Sequence, residues 1–250
     1  FQIFFKSIYC ERVFRNTIFL SFLRLLFSFP APILLALMIN EIRSSWFKRT
    51  VQTITYMPYF LSWVVVAGLL NTMLSPDNGA INTVIKMSGG QPIYFLTSKQ
   101  WFRPILIISE IWKNIGYGSI VYLAAITSID QEQYEAARVD GANKLQQIVH
   151  ITLPALSEII AIMLILQIGK MFDDNFDQIY NLQNDIVASE AETLALYIYR
   201  ITFERKPDYG FSTAVSMFCS VINAALMIAA NTVSKRLGGG GLIGDVNNGH

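Results

Sequence analysis

Residues 128–156 read SIDQEQYEAARVDGANKLQQIVHITLPAL and lie between two apolar stretches, 104–127 and 155–172. Asp130 is placed to cap a helix N-terminus, with Gln133 three residues on to close a capping box. The helix runs through Tyr134 to Arg138, and Asp140-Gly141 stops it, because glycine takes the left-handed backbone that a helix C-cap requires. Asn143 then caps a second short helix ending near His150, and Pro154 opens the apolar stretch that follows. The pattern predicts two short polar helices at a membrane surface, joining two membrane spans.

Working outward, each span must supply about 20 mostly apolar residues. The stretch 104–127, PILIISEIWKNIGYGSIVYLAAIT, does so with Pro104 at a first helical position, and 155–172 is the next. The stretch 17–40 is kinked by Pro30 and Pro32, with Arg24 snorkelling outward. The stretch 53–74 carries Tyr56, Tyr59 and Trp63 toward one end, as an interfacial belt would. The stretch 211–233 is rich in Ser and Ala, which let helices approach closely. Composition agrees: hydrophobic residues make up 53% of 250, charged residues 15%, and mean hydropathy is +0.41. A water-soluble chain carries about 25% charge. The expected fold is an all-α polytopic membrane bundle with five visible spans, one transmembrane domain over 1–237 and a flexible tail over 238–250. The segment 75–103 reads as polar and turn-rich, and 173–210 is acidic at first and ends in ERKPDYG, with an amphipathic helix near 190–203.

Several chemistries are excluded. Cys10 and Cys219 are isolated, and His150 and His250 are too few and too far apart for a zinc site. No GxxxxGK[ST] occurs, and the glycine run 238–241 is followed by Leu242, so no ATPase resides here. Neither HExxH nor GxSxG is present, which argues against a membrane-embedded enzyme. A net charge of +1 points to no nucleic-acid partner. Basic residues divide almost evenly between the two sets of loops, so charge does not fix orientation.

The loop carries a resemblance. Glu135-Ala136-Ala137, then Gly141, then Ile151, Leu153 and Pro154 match, at every spacing, the loop signature of binding-protein-dependent ABC importer permeases. Seven such positions coincide by chance roughly once in 10⁸ registers. The stretches RNTIFLSFLRLLFSFPAPILLALMINEI and YMPYFLSWVVVAGLL also resemble the maltose-type permeases, nearest to the branch for oligo- and polysaccharide uptake. That resemblance implies a six-span core in a bacterial plasma membrane, with one further span expected before Phe1. It implies a cytoplasmic coupling loop over 128–154, with 41–52 on the same side and 75–103 and 173–210 outside. The implied partners are a second permease subunit, two ATP-binding subunits holding ATP and Mg, an extracellular solute-binding protein, membrane lipid and a saccharide. No cofactor is expected on this chain. The same loop also serves permeases for amino acids, phosphate and other small solutes, which is the alternative cargo.

Polar residues inside spans often line a pathway. Trp112, Asn114, Tyr117 and Tyr122 on one span, with Gln167, Lys170, Asp173, Asp174 and Asn175 at the end of the next, form the expected path. Aromatic faces suit pyranose CH groups, and amides and carboxylates suit sugar hydroxyls. Ser216, Ser220 and Asn223 are placed either at the pore or between helices. Glu110 and Lys113, three residues apart on one helix face, are expected either to pair with each other or to join helices.

Overall fold

The computed structural model describes residues 8–173, 175–204, 209–236 and 241–242. Asp174, the side chain of Cys10, His250 and most of the tail 238–250 lie outside the described residues. Among the described residues the chain is helical with no strand. Thirteen α-helices can be named in order. The first four are α1 (Ile8–Leu23), α2 (Pro30–Asn40), α3 (Ser45–Tyr56) and α4 (Trp63–Met73). Next come α5 (Ala80–Met87), the long α6 (Lys99–Thr127), and the loop helices α7 (Gln131–Val139) and α8 (Lys144–Gln147). The chain continues with α9 (Leu153–Ile168), α10 (Phe176–Leu182), α11 (Ala188–Ala191), α12 (Leu194–Tyr199) and α13 (Tyr209–Arg236).

Among the described residues three helical runs are long and apolar enough to cross a membrane: Glu11–Asn40, Lys144–Ile168 and Tyr209–Arg236. The expected span over 53–74 is instead a bent pair, Ser45–Phe60 and Trp63–Met73, meeting at 103°. Pro58 sits in a 3₁₀ turn, Leu61 is extended, and Ser62 is extended too and caps α4 by accepting from the Val65 amide. Proline and a fresh N-cap within five residues leave no room for a continuous helix. The expected span over 104–127 is one unbroken 29-residue helix, α6, yet it falls outside the apolar set, since Glu110, Lys113 and Asn114 sit in its middle. Its start is Lys99, so Pro104 lies inside the helix and not at its first position.

Prolines in the other runs are handled alike. A π-helical turn, Arg24–Ser28, precedes Pro30, and the Phe29 amide donates to the Arg24 carbonyl at 3.0 Å. A second π turn, Ile148–Thr152, precedes Pro154, and the Leu153 amide donates to the Ile148 carbonyl. Proline lacks a donor and clashes with the carbonyl four residues back. Widening the preceding turn accommodates it without ending the helix. The second loop helix therefore does not end near His150 but runs through to Ile168.

α6 is the hub. α2 lies alongside it in the same direction, and Ile33, Ala36, Leu37 and Ile39 pack against Tyr122, Leu123, Ile126 and Leu156. A second core joins Leu20, Ala67, Phe102 and Leu106 to Ile179, Leu182, Val187, Ala191 and Leu196. Much of 173–210, which the sequence offers as a connection between spans, is therefore core. Asn16, fully buried on α1, donates to the Ser189 and Glu192 carbonyls at 2.9 and 3.1 Å and accepts from Arg103 at 2.9 Å. Arg103 also pairs with Glu190 at 2.5 Å. These polar bonds fasten 188–193 to the first helix. The expected amphipathic helix over 190–203 is divided into α11, α12 and a π turn, Arg200–Glu204.

α3 crosses α6 so closely that a Cβ on Gly116 would land on the Thr55 carbonyl. Gly116→Ala is therefore expected to destabilise the protein by about 1–3 kcal/mol. Gly68→Ala in α4, where nothing lies within 4 Å of the added atom, should stabilise it by up to about 1 kcal/mol. Thermal unfolding of the purified protein in detergent separates the two; equal melting temperatures would refute the close crossing.

Candidate translocation site

Arg24 lies in the π turn of the first run, 5% exposed. It does not snorkel. Its Nε donates to Glu110 Oε2 at 2.8 Å and its Nη2 to Gln178 Oε1 at 3.4 Å. Asn175 Nδ2 donates to the other Glu110 oxygen at 3.4 Å. Gln178, fully buried on α10, donates in turn to the Leu106 carbonyl at 2.7 Å and Ser109 Oγ at 2.9 Å. A charge inside a bilayer is costly unless paired and bonded, and this network satisfies both charges. Glu110 thus pairs with Arg24 and not with Lys113. Lys113 turns elsewhere: Nζ donates to the Tyr59 carbonyl at 2.6 Å and lies 5.2 and 5.6 Å from the ring centres of Tyr59 and Trp63. It holds the bend between α3 and α4, with cation–π contacts in place of a carboxylate.

The Arg24–Glu110 pair forms one wall of a cavity of about 490 Å³. Gln167 and Lys170, at the end of α9, form another, and Asp173, Asn175 and Asp177 complete its rim. A neighbouring cavity of about 470 Å³ shares Asp173 and Phe176 and is bordered by Ser216, Ser220 and Asn223. The lining is rich in amides, carboxylates and hydroxyls, suited to a ligand with many hydroxyl groups.

At the opposite end of α9 lies the loop. Asp130 caps α7 by accepting from the Glu132 amide at 3.0 Å; the bond comes from residue 132, so the box with Gln133 does not form. Gly141 has φ +80°, and the Ala142 amide donates to the Ala137 carbonyl at 2.8 Å, closing the helix end. Asn143 and Gln146 form a reciprocal capping box with bonds of 2.7 and 2.9 Å. Tyr134 is bonded to Thr152 at 2.9 Å, and Lys144 pairs with Glu41 at 2.9 Å, so the loop is braced against both neighbouring runs. Glu135 and Ala136 face outward, as do Val139 and Leu145, which are 88% and 70% exposed.

Residues 14–239 match the family model for the binding-protein-dependent transport system inner membrane component. The chain belongs to that family. It is 41% identical to Protein LplB of Bacillus subtilis (strain 168), over 97% of this chain and 76% of the relative. It is 42% identical to the polygalacturonan/rhamnogalacturonan transport system permease protein YteP of the same organism, over 91% of this chain and 71% of that one. A solved bacterial alginate ABC transporter, in complex with alginate pentasaccharide-bound periplasmic protein, contains a chain that matches with TM-score 0.93 at 43% identity, covering 96% of this chain and 83% of its own. Relatives are transport components, so this family member is a transport subunit and not an enzyme.

The structure brings together part of the expected path. Gln167, Lys170, Asp173 and Asn175 meet at the larger cavity. The residues of α6 do not follow them. Trp112 borders an apolar crevice with Trp101 and Met73. Tyr117 is half-exposed and stacks flat on Tyr59, with ring centres 3.8 Å apart. Tyr122 is 2% exposed in the core, and Asn114 is half-buried away from the cavity wall. Aromatic residues five apart on one helix point to different sides, which disperses them. Sequence reasoning missed Arg24, Gln178 and Asp177. A lone arginine within FLSFLRLLFSF was the available signal, since such a charge needs a buried partner.

Removing one partner strands the other. Glu110→Leu and Arg24→Met are each expected to cost about 3–5 kcal/mol, and the two together much less than their sum. Melting of the single and double variants measures the coupling, and strictly additive losses would contradict the pair.

Proposed function

We propose that this chain is one permease subunit of an ATP-driven importer of oligosaccharides or polysaccharide fragments, working in a bacterial plasma membrane. The observation that carries the reading is the 25-residue helical run Lys144–Ile168. It begins at the signature loop and ends where Gln167 borders the polar cavity. At 1.5 Å per residue it is a lever about 37 Å long. Glu135, Ala136, Ala137 and Gly141 form the contact with an ATP-binding subunit: the small residues permit close approach, and Glu135 offers a charged acceptor. Val139 and Leu145 add apolar area that docking would cover. Ile151, Leu153 and Pro154 carry the movement into the lever.

In this reading α6 is also a span, its polar middle shielded by neighbours, and the bent pair α3–α4 is a broken one. With the three apolar runs these make five of a six-span core. The partners are a second permease subunit, two ATP-binding subunits with their ATP and Mg, and an extracellular binding protein. The saccharide cargo is supported by the hydroxyl-matching cavity and by relatives named for polygalacturonan and alginate transport.

Two measurements test this. Glu135→Lys and Gly141→Val should abolish ATP-driven saccharide uptake, the latter because a side chain at φ +80° costs about 1–2 kcal/mol. Both variants should still insert in the membrane; full uptake by both would refute the coupling role. In a background lacking Cys10 and Cys219, cysteines at Ser44 and Lys144 should be shielded from an impermeant thiol reagent applied to intact cells, and one at Asn78 labelled. The reverse pattern would overturn the orientation.

A further inference from the structure

Beside the larger cavity lies a series of aromatic rings that the expected path did not include. Phe176 is 5.3 Å from Tyr180 and 5.0 Å from Tyr199, measured between ring centres. Tyr180 and Tyr199 are 5.0 Å apart, so these three rings form a triangle, which Phe203 extends from Tyr199 at 5.3 Å. The Tyr199 hydroxyl donates to that of Tyr180 at 3.4 Å, which fixes the two rings to each other. The series opens outward: Tyr180 is 37% exposed and Phe203 65%. It also leads inward. Phe176 borders both cavities, and Tyr199 and Phe203 border the smaller one.

Facing the rings is a polar edge on α13. Ser216, Ser220 and Asn223 border the same cavity. Asn223 spends its Oδ1 on the Phe172 amide at 3.0 Å, and its Nδ2 has no partner among the described residues. The Ser220 hydroxyl donates to the Ser216 carbonyl at 3.1 Å, but a patch built for lipid tails would not set the unpaired Asn223 amide against aromatic faces, because an unsatisfied polar group in hydrocarbon is costly. A pyranose has the matching chemistry: a flat CH face for the rings and an edge of hydroxyls for the amide.

We propose that Phe176, Tyr180, Tyr199 and Phe203 form a saccharide-binding track on the extracellular side, along which an oligosaccharide lies as it enters the cavity at Glu110 and Gln167. This rests on the permease reading above and adds subsites beyond the cavity. A short cargo is held by the cavity alone. A longer one also engages the track, so the track sets a preference for chain length.

The test uses the full transporter complex in proteoliposomes with its binding protein and ATP. Uptake is measured for labelled di- and pentasaccharides, one series of uronates and one of neutral hexoses. Phe203→Ala, at an exposed ring, should lower pentasaccharide uptake about five- to tenfold while disaccharide uptake stays within about twofold. Phe203→Trp, which keeps a ring, should restore it. An equal loss for both lengths would mean that the ring serves a protein contact, and no loss for either would mean that it touches nothing in transit; each overturns the track. If the unaltered complex imports neither series, the saccharide reading fails and the track with it.

Discussion

The buried ion pair between Arg24 and Glu110 constrains how the rest of the bundle closes. Each charge sits in an apolar stretch where, alone, it would cost several kcal/mol. The cost is offset when the two meet and their remaining valences are filled. Glu110 takes Arg24 on one oxygen and Asn175 on the other, and Arg24 reaches Gln178 with a second nitrogen. That requirement aligns the first helical run with α6, so that Asn40 and Thr127 arrive together at the far end. It also draws the segment after α9 back into the bundle, because Asn175 and Gln178 belong to it. The pair is thus a folding constraint and a cavity wall at once.

Proline placement gives the bundle its continuity. Pro30 and Pro154 would each be expected to stop or restart a helix, and each is preceded by a π turn in which the chain bonds five residues back. The first π turn carries Arg24, and its wider pitch presents the guanidinium to α6. The second joins the loop helices to α9 with no break. Pro58 is treated differently: there the helix does end, and Lys113 binds the freed Tyr59 carbonyl. A proline tolerated by a π turn transmits movement along one axis, whereas a proline at a true break redirects the chain.

What the sequence made legible was local. The caps at Asp130 and Asn143, the stop at Gly141 and the apolar runs depend on residues within a few positions of one another. The cavity depends on residues far apart in the chain, Arg24 with Glu110 and Glu110 with Asn175, and no short-range pattern selects those partners over Lys113. The core role of 176–204 is hidden in the sequence for a related reason. Its core residues, Ile179, Leu182, Val187, Ala191, Leu194 and Leu196, are spread over pieces of four to seven residues, each too short to give a span signal. The aromatic residues of α6 were grouped by proximity in sequence, but a helix turns about 100° per residue and sends them to different sides.

The two walls of the cavity are anchored differently: the Gln167–Lys170 wall is tied just beyond Lys170, where Ser21 Oγ donates to the Met171 carbonyl and the Phe172 amide donates to Asn223. Arg24, Glu110, Asn175 and Gln178 are linked by hydrogen bonds among side chains of three separate runs, so this wall moves only as a unit. Among the described residues the side chains of Gln167 and Lys170 make no bond to it. They ride on the end of the run that starts at Lys144, braced at its base by Glu41 and by the Tyr134–Thr152 bond. In the proposed coupling, a displacement of the loop would tilt that run against α6 while the ion pair held, and the polar groups on the two walls would separate or converge accordingly. Close packing of Gly169 against Met227 ties the tip of the lever to α13, whose Ser216, Ser220 and Asn223 line the second cavity. In that reading the same tilt would also move the polar edge opposite the aromatic rings, so that entry past the rings and release from the cavity would be driven by one motion.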